Sequence, residues 1–376
     1  MALFDVYNQY PIELVSAKGM QLKDSKGSDY LDFYGGHAVI SIGHTHQHYV
    51  NQLKSQIDAI GFYSNVIHNP LQEELAERIN AKLEENYELF LCSSGAEANE
   101  NALKLASFHT ERSKILAFSN AFHGRTSAAV AATHNTRIQA PINKVHQVDF
   151  IDFNDVEALK KHLETKAYAA VIIECIQGVG GLDQPDTDFV KTLRDICTET
   201  GTVLIADEVQ SGFSRTGRFF SFQHYNIIPD IISMAKGMGN GFPVGGIMIH
   251  ESIKAEKGML GTTFGGNYLA CTAALSVMDV LEKEDLEQKA AALESVFRAK
   301  AAMLQVPAVV KGRGLMIGLE FGFNTAELRR NLLFQHGLFV GSASNPNVVR
   351  ILPPLCCTER ELNQLFEGLN QELKHE

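Results

Sequence analysis

The sequence has no basic run of five or more residues and no apolar run near the ~18 residues that a membrane-spanning helix needs. Basic residues are also outnumbered, with 33 Lys and Arg against 44 Asp and Glu, for a net charge of −11. A chain of this kind lacks the electrostatic footprint for gripping a phosphate backbone, so neither nucleic acid nor a membrane is expected as a partner. The first residues carry no basic n-region and no apolar h-region, so no secretory signal is expected. The six cysteines (Cys92, Cys175, Cys197, Cys271, Cys356, Cys357) form no Cys-x-x-Cys pair and no zinc spacing. They read as reduced, packed thiols, which points to the cytoplasm. No G-x-G-x-x-G and no G-x-x-x-x-G-K-[ST] occurs, so the dinucleotide and P-loop readings fail on spacing. Internal repeats and low-complexity segments are missing too.

What is present is 376 residues, 45% apolar and 20% charged. That is ordinary for a globular chain of two or three domains with a large core. Short apolar runs at 88–92, 115–119, 170–173, 203–206 and 231–234 read as buried strands. Helical patterns lie between them. Asn69-Pro70 opens one, and another runs from Thr187 to Thr200 and stops at Gly201. This alternation predicts an α/β fold, with a mainly parallel sheet covered by helices in a large domain over 45–265. After about residue 266 the pattern changes to a long helical stretch at 269–305, two short strands and two helices, which read as a smaller α+β domain over 266–376. Residues 1–44 contain two strand-like pieces around Asp24-Ser-Lys-Gly27 and are expected to pack with that smaller domain.

Ligands of parallel α/β sheets bind beyond the carboxyl ends of the strands. Five predicted strands end in polar or glycine-rich clusters. Ser93-Ser94-Gly95-Ala96 opens a helix, where backbone N–H groups and the dipole suit a phosphate, although by itself it also fits a plain N-cap. Lys236 follows an apolar strand and precedes glycines, so burial should favour the neutral amine that a Schiff base needs. Asp207 ends another apolar strand, and a buried carboxylate there needs a cationic partner such as a protonated pyridine. Phosphate cradle, lysine and aspartate together fit pyridoxal 5′-phosphate.

The ordered segments Tyr30-Leu-Asp-Phe33, Gly43-His44, Ser94-Gly-Ala-Glu-Ala-Asn-Glu100, Phe122-His-Gly-Arg-Thr126 and Asp207-Glu-Val-Gln-Ser-Gly212 carry a resemblance that Lys236, Gly261-Thr-Thr-Phe-Gly-Gly-Asn267 and Val349-Arg350 extend. The chain resembles the class III (ω-amino acid) aminotransferases of the fold-type-I pyridoxal-phosphate enzymes, and is most similar to their acetylornithine branch. The resemblance implies that Lys236 binds the cofactor and moves the proton between Cα and C4′. Asp207 would pair with the pyridine N–H, Phe122 and Val209 would pack on the ring faces, and Gln210 would bond the phenolic oxygen. Ser94, Gly95 and Ala96 would hold the phosphate, and Thr263 would reach the phosphate of the other subunit in a homodimer with shared sites. Arg350 would take the α-carboxylate of glutamate and Arg125 the distal carboxylate, with Tyr7 facing the substrate. The implied reaction moves the δ-amine of an N-acetyl- or N-succinylornithine to 2-oxoglutarate, as in arginine biosynthesis. Free ornithine, 4-aminobutyrate, an aminomutase and a catalytically silent binding protein on the same fold are the alternatives.

Three positions depart from the family pattern. Val179 stands where a glutamate usually pairs with the α-carboxylate arginine, so Arg350 is expected to stay open. Gln47 and Tyr268 stand where prolines are usual, and these changes are expected to concern local backbone.

Overall fold

The protein is described by a computed structural model over residues 3–375. Three N-terminal strands come first: β1 (Leu14–Lys18), β2 (Gln21–Asp24) and β3 (Asp29–Asp32). Seven strands then build the large sheet: β4 (Tyr87–Cys92), β5 (Lys114–Phe118), β6 (Val148–Ile151), β7 (Tyr168–Ile173), β8 (Val203–Asp207), β9 (Ile231–Met234) and β10 (Gly245–His250). Their spatial order is β4-β10-β9-β8-β7-β5-β6. Only β10 runs antiparallel to its neighbours β4 and β9, and the other pairings are parallel. Every residue of β7 and β8 is buried, as expected of central strands covered on both faces.

The five strands expected from apolar runs are all present. Two more, β6 and β10, had no clear signal. β10 opens with Gly245-Gly246, which a sequence reading takes as a break. Here the glycines are packing devices, because a Cβ on Gly245 would lie 2.7 Å from the Ser94 carbonyl oxygen and one on Gly246 2.8 Å from that of Phe90. The helix Pro70–Asn80 has Asn69 at its N-cap, bonding the Leu71 N–H at 3.1 Å. The helix Thr187–Thr200 ends on Gly201 in left-handed backbone (φ 61°).

The expected helical stretch at 269–305 is two helices, Tyr268–Lys283 and Leu286–Ala301. Asp285, at φ 53°, turns the chain between them, and nothing in the local sequence announces the turn. The first helix packs against Gln47–Ala59 and Pro70–Asn80, and the second against Glu359–Glu372. Gln47 and Tyr268, the two proline replacements, are each the first residue of a helix. The N–H of that position needs no intrahelical partner, so proline and other residues are both accommodated there.

The remaining strands are β11 (Val309–Arg313), β12 (Met316–Glu320), β13 (Leu338–Phe339), β14 (Gly341–Ser342) and β15 (Val348–Ile351). They form a sheet of order β11-β12-β15-β14, while β13 joins β1-β2-β3 by parallel pairing with β3. The N-terminal strands thus share a sheet with a strand from the last part of the chain. Two side chains pin this region to the large sheet. Asn240 accepts from the N–H groups of Ser41 (2.8 Å) and Ile42 (3.1 Å) and donates to the Gly43 carbonyl. Arg215, 2% exposed, donates to the carbonyls of Ile40, Leu315 and Pro353. Just before Ile40 in the chain lies a turn of left-handed coil, Gly35 to Ala38, with φ between 55° and 68° at all four residues. Left-handed backbone disfavours residues with a Cβ by roughly 1–2 kcal/mol each, and here the Asp32 carboxylate anchors the Tyr34 and Gly35 N–H groups while the Ala38 N–H bonds the Tyr34 carbonyl.

Candidate active site

The carboxyl ends of β4, β5, β7, β8 and β9 meet at one cavity of about 340 Å³. Ser94, Gly95, Ala96, Phe122, Arg125, Asp207, Val209, Gln210 and Lys236 all line it. Nine of the twelve expected site residues are therefore brought together, from four separate strand ends, and the end of β7 adds Glu174.

Its floor is the Asp207 carboxylate, 5% exposed at the end of β8. Oδ2 accepts from Asn99 Nδ2 at 2.7 Å and lies 2.7 Å from His123 Nδ1, while Oδ1 accepts from the Val209 N–H at 3.0 Å. These bonds fix the rotamer. Glu174, at the end of β7, accepts from the Phe122 and Gly178 N–H groups at 2.8 and 3.0 Å. Burial pushes the Glu174 carboxyl up to about 7, against the pull of His123. Lys236 begins a 3-10 turn in left-handed backbone (φ 46°). Its amine has no hydrogen bond or ion pair among the described residues. Burial pushes it below the ordinary lysine range, with the negative charges of Asp207 and Glu174 opposing.

The opposite wall is the start of the helix Gly95–Thr110. Ser94 is its N-cap: its hydroxyl accepts from the Glu97 N–H, and Glu97 reaches back to the Ser93 N–H at 2.7 Å. The first two N–H groups, of Gly95 and Ala96, have no partner the helix itself could supply, and both residues line the cavity at a helix N-terminus, which suits an anion. Gly95 cannot be exchanged, because a Cβ there would lie 2.6 Å from Val209 Cγ1.

These features match the demands of pyridoxal 5′-phosphate: a helix N-terminus for the phosphate, a buried carboxylate for the ring nitrogen and an unpaired amine for the aldehyde. Two buried polar atoms of the site also lack partners, Gln210 Oε1 and His123 Nε2. Buried orphans of this kind are rare unless a ligand or water meets them. The residues present fit the cofactor.

Three expected residues lie elsewhere. Thr263 is exposed in the loop before the helix Tyr268–Lys283 and does not reach its own chain's cavity. Tyr7 is 76% exposed on the N-terminal segment, so the expected substrate contact is not made within the chain. Arg350 is 3% exposed in β15, behind the cavity lining. It is not open, as the loss of an acid at 179 suggested. Its Nη1 donates to the Gly178 carbonyl at 2.7 Å, its Nε to the Ser342 carbonyl, and its Nη2 to the Tyr34 hydroxyl at 3.4 Å. Arg125 is exposed at the rim, its guanidinium 5.8 Å from the Phe122 ring centroid, with no acidic partner among the described residues.

Asn99, His123 and Glu174 lie inside strand-end segments singled out in the sequence, yet no role was assigned to them. Their signal was position alone: a polar residue next to a buried strand end must bond to something. Tyr34 and His37 give no signal, because the arginine that gives the pair its setting, Arg350, lies 316 positions from Tyr34.

Comparison with known proteins agrees with this geometry. The family described as aminotransferase class-III matches residues 5–373. The acetylornithine aminotransferase of Bacillus subtilis is 37% identical over all of this chain and 98% of that protein. The protein of the same name from Archaeoglobus fulgidus is 40% identical over 97% of this chain and 96% of that one. Among solved structures, the ornithine aminotransferase of Toxoplasma gondii superposes with a TM-score of 0.91 at 26% identity, over 98% of this chain and 91% of that one. With the site geometry and a match along its whole length, the chain belongs to the class-III aminotransferases, enzymes that work with pyridoxal 5′-phosphate.

Proposed function

We propose that the enzyme moves the δ-amino group of an Nα-acylornithine to 2-oxoglutarate, giving the N-acylglutamate semialdehyde and glutamate, as arginine biosynthesis requires. One observation carries the choice of substrate: 37–40% identity over essentially the whole chain to proteins named for acetylornithine. The unpaired Arg125 at the rim supports it. When a δ-amine reacts, the α-carboxylate of the donor lies several bonds away, and a planar guanidinium at the cavity mouth suits it.

Bound pyridoxal phosphate supplies an aldehyde that accepts the amine and a pyridinium ring that takes up the electrons of the broken C–H bond. Asp207, held in place by Asn99 and His123, would keep the ring nitrogen protonated. Phe122 and Val209 would confine the ring, Gln210 would bond its oxygen, and Ser94 with the Gly95 and Ala96 N–H groups would hold the phosphate. Lys236, whose amine burial pushes below the ordinary lysine range, would remove the proton from the carbon that bears the reacting amine. Arg350 receives the α-carboxylate of glutamate.

The working unit in this reading is a cytoplasmic homodimer in which Thr263 serves the neighbouring site. Beside its loop lies an exposed apolar group, Phe62, Tyr63, Val66, Ile67 and Phe264, with the Phe62 and Phe264 rings 5.5 Å apart. A contiguous patch of this kind marks an interface. No helix among the described residues is long and apolar enough to cross a membrane.

The test is a parallel assay of acetylornithine, succinylornithine, ornithine and 4-aminobutyrate against 2-oxoglutarate. An acylornithine should lead by at least tenfold in kcat/KM. A lead for free ornithine, which the structural likeness to an ornithine aminotransferase favours, would replace this reading.

A further inference from the structure

Arg350 poses a problem of charge. It is almost wholly buried, and no carboxylate among the described residues lies within ion-pair distance. Glu174, the acid whose charge it feels, spends both oxygens on the Phe122 and Gly178 N–H groups. Two of the arginine's donors go to backbone carbonyls, and the third goes to Tyr34, whose ring centroid is 5.7 Å from the guanidinium carbon.

Tyr34 is held in turn. Its hydroxyl meets His37 Nδ1 in a close hydrogen bond, with Nε2 at 3.3 Å. Arginine can only donate, so the Tyr34 oxygen accepts from Arg350 and its own proton is free for His37. The imidazole is suited to accept it. Part of the ring's surface is open, but desolvation, with the positive charges of Arg350 and Lys236, pushes its pKa down to about 4. His37 also holds the left-handed backbone that places it there, and its carbonyl accepts from Gln210 Nε2 at 3.2 Å. The loop thus ties the arginine's cap to a residue lining the cavity.

We propose that Tyr34 and His37 form an uncharged latch on Arg350 and are specificity-determining residues of the reaction. The inference rests on the reading of Arg350 as the carboxylate-binding arginine. A dicarboxylic oxo acid displaces the Tyr34 hydroxyl and takes Nη2, and no ion pair has to be broken. With the acylornithine the latch stays closed. Its single carboxylate is then kept off Arg350, where it would bind end for end and hold the δ-amine away from Lys236.

Two measurements on the cofactor-loaded enzyme test this: calorimetric binding of glutarate, a dicarboxylate that cannot turn over, and steady-state kinetics with acetylornithine. Tyr34→Phe removes the cap. His37→Asn removes its holder and keeps a residue that tolerates left-handed backbone. Both should tighten glutarate three- to tenfold. Both should also lower kcat and KM for acetylornithine by a common factor, leaving kcat/KM within twofold, which is the signature of nonproductive binding and not of structural damage. Glutarate affinity that is unchanged or weaker in either folded variant overturns the latch. Arg350→Gln separates the premises: glutarate binding that survives it refutes the reading of Arg350. Absence of acylornithine turnover in the unmodified enzyme refutes the substrate assignment, while the glutarate measurement still judges the latch.

Discussion

Asn99 and Asp207 are 108 positions apart in the chain, yet Asn99 Nδ2 donates to Asp207 Oδ2 at 2.7 Å. The same amide group donates to the His123 carbonyl, also at 2.7 Å. A helix, a strand end and a loop are thereby locked around one carboxylate, so that it faces the cavity without rotating.

Asp207→Asn should keep the fold and lose at least 100-fold in transamination rate, or about 3 kcal/mol of barrier. An amide cannot hold a protonated ring nitrogen as a carboxylate does. Steady-state rates decide, and a rate within threefold of the parent would remove Asp207 from the mechanism.

Lys236→Ala should abolish turnover while the protein folds and retains cofactor noncovalently. The parent protein should absorb near 420 nm and lose that band on borohydride treatment, and the variant should show no covalent trapping by borohydride. Normal turnover in the variant would contradict the assignment.

Glu174 should make stability depend on pH. Its folded-state pKa, about 7, lies above the ordinary glutamate value of 4.5. The folded protein therefore favours the protonated acid, and the stabilisation is full below about 4.5 and lost as pH rises through about 7. Glu174→Gln removes that dependence, apart from a constant penalty for placing an amide near the Phe122 and Gly178 N–H groups. Between pH 5 and pH 8 the variant should gain on the parent, by an upper bound of roughly 3 kcal/mol. Urea midpoints of the apo forms at both pH values check this, and an equal gap at the two would exclude it.

Arg215 has no ion pair among the described residues and binds the Ile40, Leu315 and Pro353 carbonyls, and burial pushes its pKa down to about 10. Arg215→Met leaves those acceptors unpaired and should cost about 3 kcal/mol. Arg215→Lys should fall between the two. A shift below 1 kcal/mol in Arg215→Met, read by urea denaturation, would mean that water replaces the guanidinium.

Val179→Glu should weaken the glutamate half-reaction more than the acylornithine half, followed separately by single-turnover absorbance. A glutamate beside Gly178, whose carbonyl binds Arg350, would give the arginine an ion pair that must open for glutamate. Equal effects on both halves would argue against this.

The strands that carry the chemistry were legible because each is a buried apolar run with a polar end, and Asp207 and Lys236 follow from that pattern. β10 was hidden because Gly245 and Gly246 are there to let Ser94 and Phe90 approach, and only the folded chain shows that need. The turn at Asp285 was hidden because its neighbours are good helix formers. The burial and cap of Arg350 were out of reach because Tyr34 lies 316 positions away. Local pattern reports what a residue must avoid, such as water, and long-range packing decides what it meets.

The pairing of β3 with β13 has a consequence for synthesis. Leu31 and Asp32 meet Leu338 and Phe339, so an edge made at the start of translation has no neighbour until most of the chain has left the ribosome. At ~5–20 residues per second, that edge is bare for tens of seconds. Unpaired strand edges are templates for association with other chains. A nascent-chain experiment should show β1–β3 protease-sensitive while residues 338–339 are still inside the ribosome and protected once the full chain is released. The last strand of the large sheet, β10, ends at His250, well before that point, so every strand end that lines the cofactor cavity is synthesised while β3 still lacks its neighbour.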